Sequence, residues 1–289
     1  MLIEQVGFVG LGIMGQAMAK NVMRGDERFV VYNRSLVRTE PLAAMGAKVA
    51  KVPREAAQGS QICFLMVSND QALEAVALGE DGVLAGMAEG GVVVDHSTVS
   101  PELTRRLWSS ARERGVQWCD APVTGGDVGA RNATLTIMVG AEALTLEQIT
   151  PLLQRMAQRV VHVGEVGQGQ TMKLVSNLVG CLNLMAGAEG LRLGLRAGLT
   201  LAAIEDVLPN GTAQSFELQK ILDRNRRQDF SPGFSVENRL KDLNLAVALA
   251  RQVQQKIPLG ERAAVVLKDH YDGGTGDLDE SSYLMWWDR

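Results

Sequence analysis

The stretch Gly7-Phe8-Val9-Gly10-Leu11-Gly12-Ile13-Met14-Gly15 decides how the first half of the chain is read. Residues 6–9 are a short apolar run, and a helical pattern begins inside the glycine turn and continues to about residue 24. A strand, a G-x-G-x-x-G turn and a helix in that order have a mechanical meaning. Gly10 permits the tight turn, Gly12 lets a pyrophosphate approach the backbone, and Gly15 lets the helix pack on the strand. The helix N-terminus adds unpaired N–H groups and a positive dipole. Gly10, Leu11, Gly12, Ile13 and Met14 are therefore candidate ligands of a dinucleotide.

Working outward, the next apolar run ends at Tyr32-Asn33-Arg34-Ser35. An acid near this point, about 20 residues past the glycines, holds the two ribose hydroxyls of NAD. Asn33 stands in the acid's place, so no carboxylate repels a 2′-phosphate. Arg34 offers a planar fork that binds phosphate and stacks on adenine. The pair favours NADP over NAD.

Further strands are expected at residues 48–50, 62–67, 91–95, 116–120, 135–139 and 160–163. Helices fall between them at 41–45, 101–114 and 144–156, with Pro101 in a first turn where its missing N–H costs nothing. Alternation of Val/Ile-rich strands with helices predicts an α/β, doubly wound, mostly parallel sheet covered on both faces. Past residues 164–169 the strand signals stop. Residues 171–196 read as one long helix, apolar around most of its circumference and hence buried on all sides. More helices are expected at 201–208, 213–226, 236–254 and 260–270. The domains are read as a dinucleotide-binding domain over 1–163, a glycine loop and long helix over 164–196, and an all-helical domain over 197–289. The long helix is too apolar for one small domain to cover, which predicts a partner chain: a homodimer or homotetramer.

The 289 residues carry a net charge of −4 and are 46% hydrophobic, which excludes disordered and fibrous chains and gives no global attraction for nucleic acid or anionic lipid. Three scattered cysteines form no CxxC, and three scattered histidines have no helix spacing, so neither a disulfide framework nor a metal site is expected. The N-terminus lacks a basic start, and later apolar stretches are broken by charge or glycine short of the ~20 residues that span a bilayer. A soluble cytoplasmic protein is the expectation.

Two more segments carry chemistry. Lys173 and Asn177, at i and i+4 after Gly167-Gln168-Gly169-Gln170, share one helix face. A charge entering an otherwise apolar helix either snorkels or is functional. Asp120-Ala121-Pro122-Val123-Thr124-Gly125-Gly126 follows a strand end, where a doubly wound sheet binds its ligands. A hydroxyl beside two glycines makes a cradle for a carboxylate or oxyanion. His96 ends another strand, but a lone histidine is more often structural and receives no role. Arg131 reads as a surface arginine. Trp286-Trp287 suggests burial against a partner or a pocket edge.

Together these segments, with Lys241-Asp242-Leu243 as a fourth motif, resemble the β-hydroxyacid dehydrogenase family from residue 6 to at least 279. The family usually has serine at the Thr124 position and leucine-proline where this chain has Val67-Ser68. The resemblance implies that Lys173 is the acid–base group and that Asn177 holds the substrate. It implies that Thr124, Gly125 and Gly126 bind a substrate carboxylate. Lys241 would reach the cofactor, Asp242 would steady that lysine or its helix, and Phe234 would wall the pocket. Met66, Val67 and Thr98 would line the cofactor. It implies hydride exchange between nicotinamide and a small β-hydroxyacid or aldehyde acid: 3-hydroxyisobutyrate, tartronate semialdehyde, glyoxylate or succinic semialdehyde. The chemistry suits a lysine, because the carbonyl oxygen gains negative charge as hydride arrives. Free lysine has a pKa of ~10.4, and burial with a second cation such as Lys241 would lower it. Two other readings stay open. One is an imine reductase on the same architecture, which usually carries aspartate or tyrosine as proton donor. The other is an NADP-binding sensor without turnover.

Overall fold

The computed structural model describes residues 3–288. The chain forms two compact units that divide within one helix, after Lys173.

The first unit is a nine-stranded sheet with helices on both faces. In chain order its elements are β1 (Gln5–Val9), α1 (Ile13–Val22), β2 (Arg28–Tyr32), α2 (Glu40–Ala43), β3 (Lys48–Val49), α3 (Pro53–Ala57), β4 (Ile62–Leu65), α4 (Asp70–Ala77), α5 (Val83–Gly86), β5 (Val92–Asp95), α6 (Pro101–Arg112), β6 (Gln117–Asp120), β7 (Val123–Thr124), α7 (Gly126–Asn132), β8 (Leu135–Gly140), α8 (Ala143–Leu153) and β9 (Ala157–Gly164). The strand order is β3-β2-β1-β4-β5-β6-β8-β7, with β9 paired to β8. The first six strands are parallel. β8 then runs antiparallel to β6 and β7, and β9 runs parallel to β8. Side-chain alternation supplies two cores. Val6, Phe8, Val31, Ile62, Phe64, Val92 and Val94 pack on one face. Val9, Val30, Cys63, Leu65 and Val93 pack on the other. This is what period-two alternation gives when both faces are covered.

α9 (Gln168–Arg196) runs from the first unit into the second. The second unit continues with α10 (Leu201–Val207), α11 (Phe216–Arg227), α12 (Val236–Gln252) and α13 (Pro258–His270), then tight helical turns to Asp288. Thr200, Ser215 and Ser235 cap α10, α11 and α12 by accepting an N–H with their side-chain oxygens. Leu184, Leu191, Ile221, Val236, Leu243 and Leu267 lie in the core. Trp286 and Trp287 pack on Tyr283 of this same unit, and Trp286 Nε1 donates to Asp269 Oδ2 at 2.8 Å.

α9 corrects one expectation. It is not buried on all sides within the chain: Met172, Val175, Val179 and Leu193 form an exposed stripe, 44–71% accessible. Its apolar stretch is bounded by Lys173 and Glu189, so charge interrupts it short of a full span, as expected. By length and composition only, it is among the described residues the one helix long and apolar enough to cross a membrane, with a mean hydropathy of 1.3, and 44% of that window is buried.

Cys63, Cys119 and Cys181 are free and buried. Burial pushes the Cys63 and Cys181 thiols up to about 12 and raises Cys119 as well.

Candidate functional site

The strand order reverses between β1 and β4, which opens a crevice at their carboxyl ends. The glycine turn sits there. Gly10 has φ +94°, and a Cβ on it would lie 2.2 Å from the Met66 carbonyl oxygen. A Cβ on Gly15 would lie 2.0 Å from the Gly10 carbonyl oxygen, so α1 packs directly on the turn. Gly12 differs: its φ is −64°, which any residue adopts, and a Cβ there would meet nothing within 4 Å. Backbone geometry does not require glycine at 12, and the space beside it suits a ligand. Those residues fit a dinucleotide pyrophosphate.

Asn33 braces this turn. Its Oδ1 accepts the Leu11 N–H at 2.8 Å, and its Nδ2 donates to the Ser35 carbonyl at 2.9 Å. Arg34 beside it is exposed. Met66 and Val67 follow β4, and the Val67 N–H donates to Ser97 Oγ at 3.0 Å, tying the β4 end to the β5 end. Thr98 follows in the next residues, half-buried. Ile13 is exposed and Met14 half-buried at the start of α1.

Thr124 closes the short strand β7. Gly125 (φ +125°) and Gly126 (φ +64°) continue from it in a backbone region that only glycine enters cheaply. The two glycines expose their backbone, and Gly126 has open space where a side chain would be. Arg131 is exposed and paired with Asp127 at 2.7 Å.

Lys173 is 9% accessible and Asn177 is 8%, one turn apart on α9. In the second unit the Asn177 Nδ2 donates to Asp242 Oδ2 at 2.6 Å, and Lys241 Nζ pairs with Asp242 Oδ1 at 2.8 Å. One carboxylate of α12 thus joins an amide and a cation. Arg239, one turn earlier, donates from Nη1 to the Asn177 carbonyl at 3.2 Å and lies over the Phe234 ring at 4.9 Å. Arg239 is held by Glu280. Burial pushes Glu280 up, and Arg239 and Lys220 beside it outweigh that, so its carboxyl stays below the usual range. The second unit brings Asn177, Lys241 and Asp242 together; the first holds the glycine turn, the strand ends and residues 124–126.

Several groups at the strand ends escaped the sequence reading. Asp95 and Asp120 are register partners on β5 and β6, both fully buried. Burial pushes Asp95 up to about 7 and Asp120 up to about 6. Asp120 accepts two backbone N–H groups from the start of α9. An acid ending an apolar strand was the available signal for both. Arg239 gave a signal too, as a charge two residues before Lys241. His96 is a core residue. It is buried, its Nδ1 lies 2.6 Å from the Ala121 carbonyl, and its ring stacks on Phe64. Burial lowers its pKa to about 4, so it is neutral. Among the described residues no cluster of three or more His, Cys, Asp or Glu is placed to hold a metal ion.

A parallel sheet with a glycine turn at its switch point, followed by a helical unit, defines a nicotinamide-dinucleotide oxidoreductase. Residues 5–164 match the NAD-binding domain of 6-phosphogluconate dehydrogenase. Residues 167–287 match the NAD-binding domain of NADP-dependent 3-hydroxyisobutyrate dehydrogenase. The 2-(hydroxymethyl)glutarate dehydrogenase of Eubacterium barkeri is 32% identical over 99% of this chain and 95% of its own length. The 2-hydroxy-3-oxopropionate reductase of Escherichia coli is 34% identical over 97% and 96%. A solved structure of Mycobacterium tuberculosis 3-hydroxyisobutyrate dehydrogenase with L-serine superposes with a TM-score of 0.90 at 27% identity, covering all of both chains. The chain belongs to the β-hydroxyacid dehydrogenase family and is an NAD(P)-dependent oxidoreductase.

Proposed function

We propose that this enzyme is an NADPH-dependent reductase of a small acid bearing an aldehyde, with Lys173 as its acid–base group. The observation that carries the reading is a lysine only 9% accessible on a helix, one turn before a buried asparagine whose amide is bonded to Asp242. Lysine is almost never so buried without a partner or a task. Bound nicotinamide supplies hydride to the carbonyl carbon. The Lys173 ammonium then stabilises the oxygen that gains charge and gives it a proton, yielding the hydroxyacid. Thr124, with the exposed backbone of Gly125 and Gly126, receives the substrate carboxylate. Asp242 holds the side chains of Asn177 and Lys241 within the second unit; the family resemblance gives Asn177 the reacting end of the substrate and Lys241 a role toward the cofactor. Asn33 and Arg34 support NADP over NAD, because Asn33 stands where an acid would hold the ribose of NAD.

The names of the relatives support a small acid substrate such as tartronate semialdehyde, and the family resemblance adds glyoxylate and succinic semialdehyde. The exposed stripe of α9, Met172, Val175, Val179 and Leu193, supports a homodimer or homotetramer in which a second copy covers it. Three unpaired buried cysteines support a reducing, cytoplasmic setting.

The test is NADPH and NADH oxidation by wild type and Lys173→Ala against these aldehyde acids. Loss of a positioned acid lowers kcat roughly 10²–10⁴-fold. Lys173→Ala within threefold of wild type overturns the role. NADPH binding with no turnover on any of the acids, or on cyclic imines, moves the protein to the sensor reading.

A further inference from the structure

We propose that Asp120 and Gln170 are positioning residues that fix the first turn of α9, and with it Lys173, against the ends of β5 and β6. The inference rests on the acid–base reading of Lys173. The opening N–H groups of a helix lack intrahelical partners, and a side chain just ahead of the helix commonly supplies one. Here the acceptor comes from a distant strand. Asp120 Oδ1 accepts the Gly167 N–H at 2.7 Å, and its Oδ2 accepts the Gln170 N–H at 2.8 Å. The Gln170 side chain answers in the other direction. Its Oε1 accepts the Val99 N–H at 3.2 Å, and its Nε2 donates to the Ser97 carbonyl at 2.7 Å.

Four hydrogen bonds therefore bind the helix start to the strand ends, and all the groups involved are buried. Lys173 lies three residues beyond Gln170, on the same side of the helix. Two glycines give the carboxylate its room. A Cβ on Gly140 would lie 2.5 Å from Asp120 Oδ1, and one on Gly169 would lie 2.8 Å from its Oδ2. Asp120 also stands four residues before Thr124, so the backbone it belongs to leads from the anchored helix start to residues 124–126. A cap serving the helix alone needs no such reach across the sheet.

Asp120→Asn keeps the volume but turns an NH₂ group toward one of the two N–H donors. In the full-length enzyme we expect kcat on the best acid of the panel to fall 10- to 100-fold. KM and the NADPH Kd should stay within threefold, and amide hydrogen exchange at 167–173 should quicken. A purely structural cap would lower the melting temperature and leave kcat per folded enzyme unchanged. A kcat within twofold of wild type overturns the proposal, whether or not exchange has quickened. Should Asp120→Asn fail to accumulate folded, Gln170→Met carries the same expectation and the same refutation. Lys173→Ala, run alongside, separates the two claims. If it stays active, the reading of Lys173 fails; if it is inactive while Asp120→Asn is fully active, only the positioning role fails.

Discussion

Gly12→Ala separates a ligand-binding turn from a turn that merely contains glycines. The added methyl would meet no protein atom within 4 Å, and the φ of −64° is open to alanine. Two small effects on folding oppose each other. Replacing glycine restricts the unfolded chain and stabilises by about 0.4–1 kcal/mol. Alanine is a poorer first cap than glycine, by about the same amount. The net is within about 1 kcal/mol, which is about 2–4 °C in melting temperature for a chain of this size. The methyl does occupy the space where a pyrophosphate meets the backbone. We expect NADPH affinity to fall at least about 100-fold, or about 2.7 kcal/mol. Fluorescence titration of NADPH and a thermal melt on the same sample measure both numbers. Gly15→Ala is the contrast, because its Cβ would lie 2.0 Å from the Gly10 carbonyl oxygen and the fold itself must suffer. A Gly12→Ala protein that melts like wild type and binds NADPH with wild-type affinity would refute the placement of the pyrophosphate.

Asn33→Asp keeps the acceptor for the Leu11 N–H and adds a negative charge near the ribose. The kcat/KM ratio of NADPH to NADH should drop at least about tenfold, or about 1.4 kcal/mol, and an unchanged ratio would exclude Asn33 from cofactor choice. Arg239→Met leaves Glu280 buried with one partner fewer, and breaking such a pair costs about 3–5 kcal/mol. In urea titrations the Arg239→Met/Glu280→Met double variant should lose clearly less than the single one; equal losses would show that the stranded charge is not the cost. Asp95 binds its proton more tightly folded than unfolded, since burial raises it from 3.8 to about 7. Its contribution to stability is thus full below about pH 4 and is lost as pH rises through about 7, on the order of a few kcal/mol. Asp95→Asn should flatten the fall in stability between about pH 4 and 7, and an unaltered slope would count against the assignment.

The glycine turn and the Val/Ile-rich runs were enough to read the doubly wound sheet, because their spacing leaves few alternatives. β7, α3, α5 and α7 were not legible: elements of two to seven residues show no period. The direction of β8 was hidden as well, since the run over residues 135–140 is apolar whichever way it points. The burial of α9 was overestimated because composition around a helix does not say which stripe its own chain covers. Lys173 and Asn177 stood out through their spacing and setting. Asp120 did not, although it opens a quoted motif, because its partners Gly167 and Gln170 lie 47 and 50 residues away.

The three buried thiols make the two units separately observable. Cys63 and Cys119 lie in the first and Cys181 in the second, each shielded and poorly ionised. A thiol reagent can reach them only when the surrounding structure opens. The rate at which each single-cysteine version is labelled is then a clock for the opening of its own unit. A dinucleotide bound at the glycine turn of the first should slow the clock of Cys63 by its full binding energy, and that of Cys181 only as far as the two units open together.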